Sequence, residues 1–215
     1  IGQTIESLAD VESWTPRVFS SVLAAVGKKT TGARIVGVLP KKEAQTTRLK
    51  QKVRAGRFLS EGPLAEVMLG YGLAEVLKAN TGDKGVLIGQ AADGSIANDL
   101  YRVVGIVGTK EDPHERVACY MHLETAQAFL VLGGRVHELA AVLTDQSASV
   151  RVARKMQGLL DDGSLDVSPW QVVEAAFYQA MQADIQGMWI SLGIIMMIVA
   201  IGVLNTVLMA ILERT

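Results

Sequence analysis

The stretch MWISLGIIMMIVAIGVLNTVLMAIL, Met188–Leu212, runs without a charged residue almost to the C-terminus. A helix of this length would reach about 37 Å at about 1.5 Å per residue, whereas the hydrocarbon core of a bilayer is roughly 30 Å thick. The alternative is a buried core helix of a soluble enzyme, but such a helix would carry a polar stripe and none is present. The sequence therefore predicts a transmembrane helix within residues 187–215.

Small and polar side chains recur on one face of this predicted span. Gly202, Thr206 and Ala210 are spaced four residues apart, and Asn205 adjoins them. Small residues let helix backbones approach each other, and an amide can form a hydrogen bond across a helix pair. We predict that this face packs against other spans. The alternative is that such residues are simply common in membrane helices.

Positive charge around the span predicts its orientation. Arg214 follows the span directly, whereas no Lys or Arg lies between Lys155 and Met188. Positive residues favour the cytoplasmic side, so residues 1–186 are expected on the extracytoplasmic side. The chain begins with Ile and carries no signal peptide, and we interpret it as an internal fragment of a longer protein.

The composition before the span is that of a water-soluble protein. The 21 Lys and Arg residues nearly balance the 22 Asp and Glu residues, which gives a net charge of -1 and predicts no nucleic-acid partner. The single cysteine, Cys119, cannot form an internal disulfide. The mean hydropathy of +0.28 thus averages a soluble region with an apolar one.

Strand-like and helix-like runs alternate before the span. Ile1–Val11 resembles the end of a helix, and strands are predicted at 17–26, 33–39, 66–69, 86–89, 100–107, 117–121, 137–143 and 165–167. Helices are predicted at 71–79, 124–132 and 149–160, and a helix of about 45 residues runs from Trp170 through the span, with its first third packed on the soluble part. This order predicts an α+β domain over residues 1–186 that is two-lobed, with 60–130 as an inserted lobe.

The segment 41–62 is polar and basic. A solvated helix face or loop is the plain interpretation of such a segment. The sharper interpretation is a partner-binding surface, for which Arg48, Lys52 and Arg57 are the candidate residues.

The sequence contains no recognisable catalytic constellation. GxxxxGK[ST], HExxH, CxxC and GxSxG are all absent, so this stretch is not expected to hydrolyse ATP. His114, Cys119 and His122 have zinc-ligand chemistry, but a strand at 117–121 would turn Cys119 toward the core. We predict no enzymatic activity, no cofactor and no metal.

Several stretches together resemble one protein family. VMLGYGLAEVLKANTGDKGVLIG (67–89), YRVVGIVGT (101–109) and YMHLETAQAFL (120–130) resemble the MacB-like periplasmic core domain. LNTVLMAILERT (204–215) resembles the span that opens the FtsX-like permease domain. RIVGVLPKKEAQTTRLKQKVRAGRFL (34–59) is similar to the lipoprotein-releasing permeases of the LolC/LolE type.

The resemblance implies a permease subunit of a mechanotransmission-type ABC transporter in the bacterial inner membrane. Its implied partners are an ABC ATPase, a second permease subunit and a periplasmic protein such as a lipoprotein or its carrier. Gly70, Gly82 and Asp83 would shape structural turns, and Glu213 and Arg214 would begin the cytoplasmic coupling segment. No catalytic residue is carried over.

The implied activity is lipoprotein release driven by ATP hydrolysis on another subunit or domain. Efflux of macrolides or peptides, or regulation of cell-wall hydrolases, is the alternative within the same family. A membrane-anchored binding or sensor module with a single span is the alternative from another class.

Overall fold

The computed structural model describes residues 2–6, 8–110, 112, 114–160 and 165–212, except for the side chains of Gln3, His114 and Ala210. Two compact units are present, Ile1–Gln146 and Ser147–Thr215. We call them the strand unit and the helix unit. The domain boundary at residue 186 and the inserted lobe at 60–130 stay predictions.

Within the described residues, eight strands form one mixed sheet in the strand unit. Their bounds are β1 Val11–Val26, β2 Lys29–Val38, β3 Val53–Gly56, β4 Glu66–Gly70, β5 Lys84–Gln90, β6 Ile96–Val107, β7 Ala118–His122 and β8 Glu138–Leu143. The order is β2-β7-β4-β6-β5-β1-β8, and β3 pairs with β6 beside this path. The strands from β2 to β1 form a closed path because β1 also pairs with β2. The strands of segment 60–130 are thus hydrogen-bonded into the same sheet as β1 and β2.

The length of β1 makes this closure possible. Arg17–Val26 pairs with β2 along one edge, and on the other edge the strand pairs first with β8 and then with β5. The turn between β1 and β2 is Gly27-Lys28, where Gly27 has a φ of 57° that few other residues adopt easily. The strands predicted at 17–26 and 33–39 are therefore present and form a hairpin, and both are longer than expected.

The strands β2, β7, β4, β6, β5 and β1 pair in a closed path, which we call the ring. The inner face of the ring carries the main core. Alternate residues of β1, β2, β4, β5, β6 and β7 point into one cluster, together with the helices α3 (Tyr71–Leu77) and α4 (Leu123–Phe129). Leu73 of α3, Ile35 of β2 and Cys119 of β7 are each fully buried there. Cys119 thus faces the core as predicted, whereas Val117 precedes the strand and is 45% exposed.

A second cluster covers part of the outer face. The polar segment after β2 forms helix α2 (Pro40–Thr46), a 3₁₀ turn (Leu49–Lys52) and the short strand β3. Leu49 and Leu59 from this segment pack against Val38, Met68 and Val107. The plain interpretation of 41–62 as a solvated helix or loop was therefore incomplete, because its few apolar residues cover the sheet.

Glu43 anchors α2 to the sheet. It is only 3% exposed, and its carboxylate accepts hydrogen bonds from Thr15 Oγ1 at 3.1 Å, Arg17 Nη2 at 2.8 Å and Thr47 Oγ1 at 3.0 Å. A buried carboxylate is tolerable only with such partners. The arrangement binds α2 to β1.

The helix unit contains α5 (Ser149–Leu160), α6 (Trp170–Val173) and α7 (Ala175–Leu212). The N-terminal helix α1, Gly2–Glu6, lies in the strand unit. The predicted single helix from Trp170 is wrong, since Glu174 leaves the helical region at φ -107° and ψ 48° and separates α6 from α7. The predicted packing of its first third on the soluble part stays a prediction.

The strand predicted at 165–167 is also wrong. The side chain of Gln157 in α5 donates to the carbonyl of Leu165 at 2.9 Å and accepts from the amide of Val167 at 2.8 Å. These backbone groups are therefore satisfied by a side chain rather than by a neighbouring strand.

Candidate functional site

The three predicted partner-surface residues lie in different environments. The guanidinium of Arg57 pairs with the carboxylate of Glu66 and donates to Ser60 Oγ at 3.0 Å. Lys52 Nζ lies 3.0 Å from Asp112 Oδ2. Arg48 is exposed and forms no ion pair within the described residues. Only Arg48 thus offers an uncompensated charge, and the partner surface stays a prediction.

The Arg57–Glu66 pair closes the loop before β4. Burial pushes the pKa of Glu66 up, but hydrogen bonds from Arg57 and Ser60 outweigh burial and hold that pKa below its ordinary value. The carboxylate therefore stays ionised at neutral pH. Arg57 thus holds the loop before β4 in place through this ion pair, which we call the Arg57–Glu66 clasp, although 52% of its side chain is still accessible.

The predicted family turns have definite geometry. A Cβ on Gly70 would lie 2.1 Å from the backbone oxygen of Glu115, so only glycine fits before α3. Gly82 has a φ of 97°, and its amide donates to the carbonyl of Val103 at 2.7 Å. Asp83 Oδ2 accepts from the amide of Asn80 at 2.8 Å and closes the turn. These contacts are structural, and none of them suggests a catalytic role.

An uncovered apolar patch lies on the outer face of the ring. Leu23 of β1 is paired with Ile88 of β5, and Val86 of β5 is paired with Leu100 of β6, so these side chains share one face. Leu23 is 51% exposed, Ile88 37% and Leu100 48%. We call this patch the open face; it comprises Leu23, Ala25, Val86, Ile88, Ile96 and Leu100.

Basic residues border the open face. Lys84 and Arg102 are paired across β5 and β6, and Arg34 of β2 stacks at 4.4 Å on the ring of Phe19. All three cations are exposed and form no ion pair within the part of the chain that the structure describes. The open face with this basic rim would suit a partner that presents apolar groups beside carboxylates.

The sequence interpretation missed the open face. The sequence predicted strands within β5 and β6. Val86, Leu87 and Ile88 are consecutive apolar residues, so both faces of β5 carry apolar side chains. Such a run is typical of strands covered on both faces. The signal was therefore present, but it did not reveal that only one face is covered within this chain.

The second candidate region is α7. Ala175–Met209 is long and apolar enough to cross a membrane, and none of its most apolar window is buried. Thr206 Oγ1 donates to the carbonyl of Gly202 at 2.9 Å, which satisfies the hydroxyl within its own helix. Asn205 is exposed with no hydrogen-bond partner for its amide among the described residues.

Some predicted residues of this region have no described environment. The side chain of Ala210 and the residues Glu213 and Arg214 lie outside the described residues. The predicted packing face and coupling segment therefore stay predictions.

The described residues show no catalytic site. No group of His, Cys, Asp and Glu that could hold a metal occurs among the described residues. Burial raises the pKa of the Cys119 thiol to about 12, so the nucleophilic thiolate is disfavoured. His122 is buried as well, with Nε2 3.1 Å from the carbonyl oxygen of Glu61 and Nδ1 accepting from the amide of Glu124. These groups have structural explanations.

Sequence comparison finds one informative relative. No protein-family model matches the chain. The lipoprotein-releasing system transmembrane protein LolC of Neisseria meningitidis serogroup B (strain ATCC BAA-335 / MC58) is 25% identical over 206 residues. The match covers 93% of this chain and 49% of that protein, so the chain spans about half the length of this curated relative.

Solved domains with the same fold include the extracytoplasmic domains of two transporters. The periplasmic region of MacB from Actinobacillus actinomycetemcomitans matches with a TM-score of 0.56 and 17% identity, over 82% of this chain and 80% of that one. The extracellular domain of the noncanonic ABC-type transporter YknZ from Gram-positive bacteria matches with a TM-score of 0.52 and 11% identity, over 70% of this chain and 75% of that one. At these identities the likeness shows the fold alone.

The comparisons confirm the resemblance stated from the sequence. The chain has the mixed α+β fold of a MacB-like core domain, followed by a long apolar C-terminal helix. Its similarity to LolC agrees with an ABC permease that carries such a domain.

Proposed function

We propose that this chain is part of a mechanotransmission-type ABC transporter permease and that the whole protein works in lipoprotein release. Residues 1–186 would be its periplasmic core domain, and α7 would contain the second span, which opens the permease domain. The chain itself would be non-catalytic. ATP hydrolysis would take place on a separate ABC subunit or domain.

One observation carries this proposal. The chain contains a MacB-like domain with an uncovered apolar face. The same chain contains a long helix whose most apolar stretch is not buried. Exposed apolar surface of this extent indicates partners or lipid. The similarity to LolC runs through 93% of the chain and supports both regions belonging to one permease.

The membrane arrangement follows from the same reasoning. Arg214 directly after α7 favours a cytoplasmic C-terminus, which would leave the strand unit in the periplasm. The unpartnered amide of Asn205 beside Gly202 and Thr206 would pack against another span of the same or a second permease subunit. Glu213 and Arg214 would then begin the segment that couples to the ATPase.

The open face is our candidate for the periplasmic contact. Its apolar centre and the cations Arg34, Lys84 and Arg102 would suit a lipoprotein or a carrier of lipoproteins with an acidic surface. Arg48 is a second exposed cation of the strand unit and belongs to the predicted partner surface in segment 41–62.

Photo-cross-linking in cells tests this assignment. A photoreactive residue replaces Ile88 in the full-length protein, coexpressed with its ATPase, and the captured partner is identified by mass spectrometry. We expect lipid-modified proteins or their soluble carrier. The matched control places the same residue at Val76, which is 56% exposed on α3 and outside the open face, and it should capture neither.

Other captured partners would contradict lipoprotein release. An adaptor of an outer-membrane channel would indicate efflux, and a cell-wall hydrolase would indicate regulation of that enzyme. Equal capture from Ile88 and Val76 would exclude the open face as the contact. A full-length protein with a single span would instead indicate the anchored binding or sensor module.

A further inference from the structure

A cluster of cations in the helix unit has no role in the proposed partner contact. Arg151, Arg154 and Lys155 lie on one face of α5, because residues three and four apart are neighbours on a helix. All three are exposed, and none forms an ion pair or a side-chain hydrogen bond with any part of the chain that the structure describes. With Val150 they line a shallow depression of about 480 Å³.

The opposite face of α5 fixes the orientation of this cluster. Val152 and Met156 are buried, and the side chains of Ser149 and Gln171 exchange hydrogen bonds at 2.8 and 3.1 Å. Gln157 binds the backbone of the segment that follows α5. The basic face is therefore held toward solvent by a helix that is hydrogen-bonded to the residues leading into α7.

The chemistry of the face indicates its ligand. Guanidinium groups bind phosphate oxygens with two parallel hydrogen bonds, and like charges at this spacing repel each other unless an anion lies between them. Val150 and Leu159 are 47% and 55% exposed beside the cations. A basic helix face flanked by exposed apolar residues is typical of helices that bind the surface of an anionic membrane.

The position of α5 in the chain favours lipid as the source of the phosphate. The last charged residue before the apolar part of α7 is Asp184, and the helix from Ala175 to Asp184 rises about 15 Å. If α7 crosses the membrane, the headgroups of one leaflet thus lie about 15 Å along α7 from its start, and α5 belongs to the same compact unit.

We propose that the basic face of α5 binds the phosphate groups of anionic phospholipids in the leaflet that α7 enters. The inference rests on the proposed function only in requiring that α7 spans the membrane. Binding there would fix the helix unit against the membrane surface while the strand unit contacts its partner.

A spin label at position 158 reports this contact. Gly158 lies on the same face of α5, four residues after Arg154. A Cβ on Gly158 would meet no atom within 4 Å, so Gly158→Cys should fold normally. Cys119 is fully buried with a pKa of about 12 and should not react with the label. The labelled 215-residue chain is placed in phosphatidylcholine nanodiscs with and without phosphatidylglycerol. We expect the label to be immobilised only with phosphatidylglycerol and released by high salt.

Substitution of the cations distinguishes binding by the basic face of α5 from general attraction between a cationic protein surface and an anionic membrane. Each of Arg151→Gln, Arg154→Gln and Lys155→Gln should raise the phosphatidylglycerol fraction needed for half-immobilisation by about fivefold, as expected from about 1 kcal/mol per cation at an anionic surface. The triple variant should lose the response. The control Lys28→Gln/Lys29→Gln/Lys41→Gln removes the same charge from exposed positions of the strand unit and should respond normally. An equal loss in the control would overturn the proposal.

Two further arms distinguish the remaining outcomes. A label at Gly193→Cys, in the apolar part of α7, should be protected from a polar relaxation agent if the helix spans the bilayer. Protection at position 193 with no response at position 158 would overturn the lipid contact of α5 and leave the span intact. An accessible label at position 193 would overturn both the span and the lipid contact. Immobilisation by inorganic phosphate in pure phosphatidylcholine would show a free-ion site and overturn the lipid assignment.

Discussion

The ring of strands and α7 contain the same apolar residue types in opposite environments. Leu73 in the strand unit is 0% exposed, whereas Leu192 in α7 is 47% exposed. Burial of a leucine side chain contributes about 1.5–3 kcal/mol, and the strand unit obtains this stabilisation from its own chain. We therefore expect α7 to obtain this stabilisation from lipid or from other helices.

The outer face of the ring repeats this contrast on a smaller scale. Met68 on that face is 0% exposed because the segment 40–59 covers it, whereas Ile88 is 37% exposed and is not covered by the residues that the structure describes. One sheet face is thus half core and half surface. The uncovered half is where we expect a partner.

The sharpest test of the comparison truncates one leucine in each region. Leu73→Ala should lower the free energy of unfolding of the strand unit by about 2–5 kcal/mol, because it leaves a cavity in the ring. Leu192→Ala should leave that free energy unchanged. The measurement is the reaction rate of Cys119 with a thiol reagent in mild detergent, since this thiol is buried inside the ring and reacts only on opening.

We expect the rate to rise about thirtyfold or more for Leu73→Ala, which corresponds to about 2 kcal/mol or more when opening equilibrates before the reaction. The thiol should react at the wild-type rate in Leu192→Ala. A similar acceleration in both variants would mean that α7 supports the folding of the ring, and the comparison would fail.

A pair of glycine substitutions tests the same contrast through close packing. Gly70→Ala places a methyl group 2.1 Å from the backbone oxygen of Glu115 and should cost about 1–3 kcal/mol. Gly193→Ala meets no atom within 4 Å in this chain. Thermal unfolding of the strand unit should shift down by about 3–9 °C for the first variant and not at all for the second. An unchanged midpoint in Gly70→Ala would show that the turn before α3 can relax.

Acid should weaken only the strand unit, and this is the smallest of the expected effects. The pKa of Glu66 is lower in the folded state than in the unfolded chain, so its contribution is complete above the unfolded pKa and is lost as the pH falls through the folded pKa. Stability should therefore decline below about pH 4.5, the ordinary glutamate value. α7 contains no titratable residue from Ile185 to Leu212, and its helicity should not change.

The variant Glu66→Gln separates this contribution from those of the other carboxylates. It should flatten the decline of thermal stability with acid, measured as the unfolding midpoint against pH. Asp93→Asn is the matched control, because the pKa of Asp93 is also lowered, through hydrogen bonds from Ser95 within an exposed turn. Equal flattening in both variants would show that the Arg57–Glu66 clasp has no special role.

Local sequence patterns predicted most elements, because those elements follow from neighbouring residues. The helix Ser149–Leu160 was predicted with its observed bounds from the apolar spacing of Val152, Met156 and Leu159. The strands on either side of Gly27 were predicted from their β-rich runs, and the turn at Gly82 was predicted between a helix and a strand. Leu159 is nevertheless 55% exposed, since periodicity does not report how wide the covered stripe is.

Long-range contacts explain the errors. Gln157 satisfies the backbone at 165–167 from eight or more residues away, so no pattern within that segment could show that it was not a strand. The break at Glu174 has no proline or glycine to mark it. The Trp170 and Tyr178 rings pack edge to face across the break at 5.5 Å, a contact that depends on the folded geometry.

Charge and hydropathy along the chain predicted the long apolar C-terminal helix, because both patterns act without reference to the fold. The sequence also carried the family resemblance and the turn glycines. Only the tertiary structure decided that β1 closes the ring, that Arg57 and Lys52 are paired with carboxylates, and that Ile88 is uncovered while Met68 is not. Each of these outcomes depends on contacts between residues that are distant in sequence, and a local sequence pattern does not show which residues those contacts join.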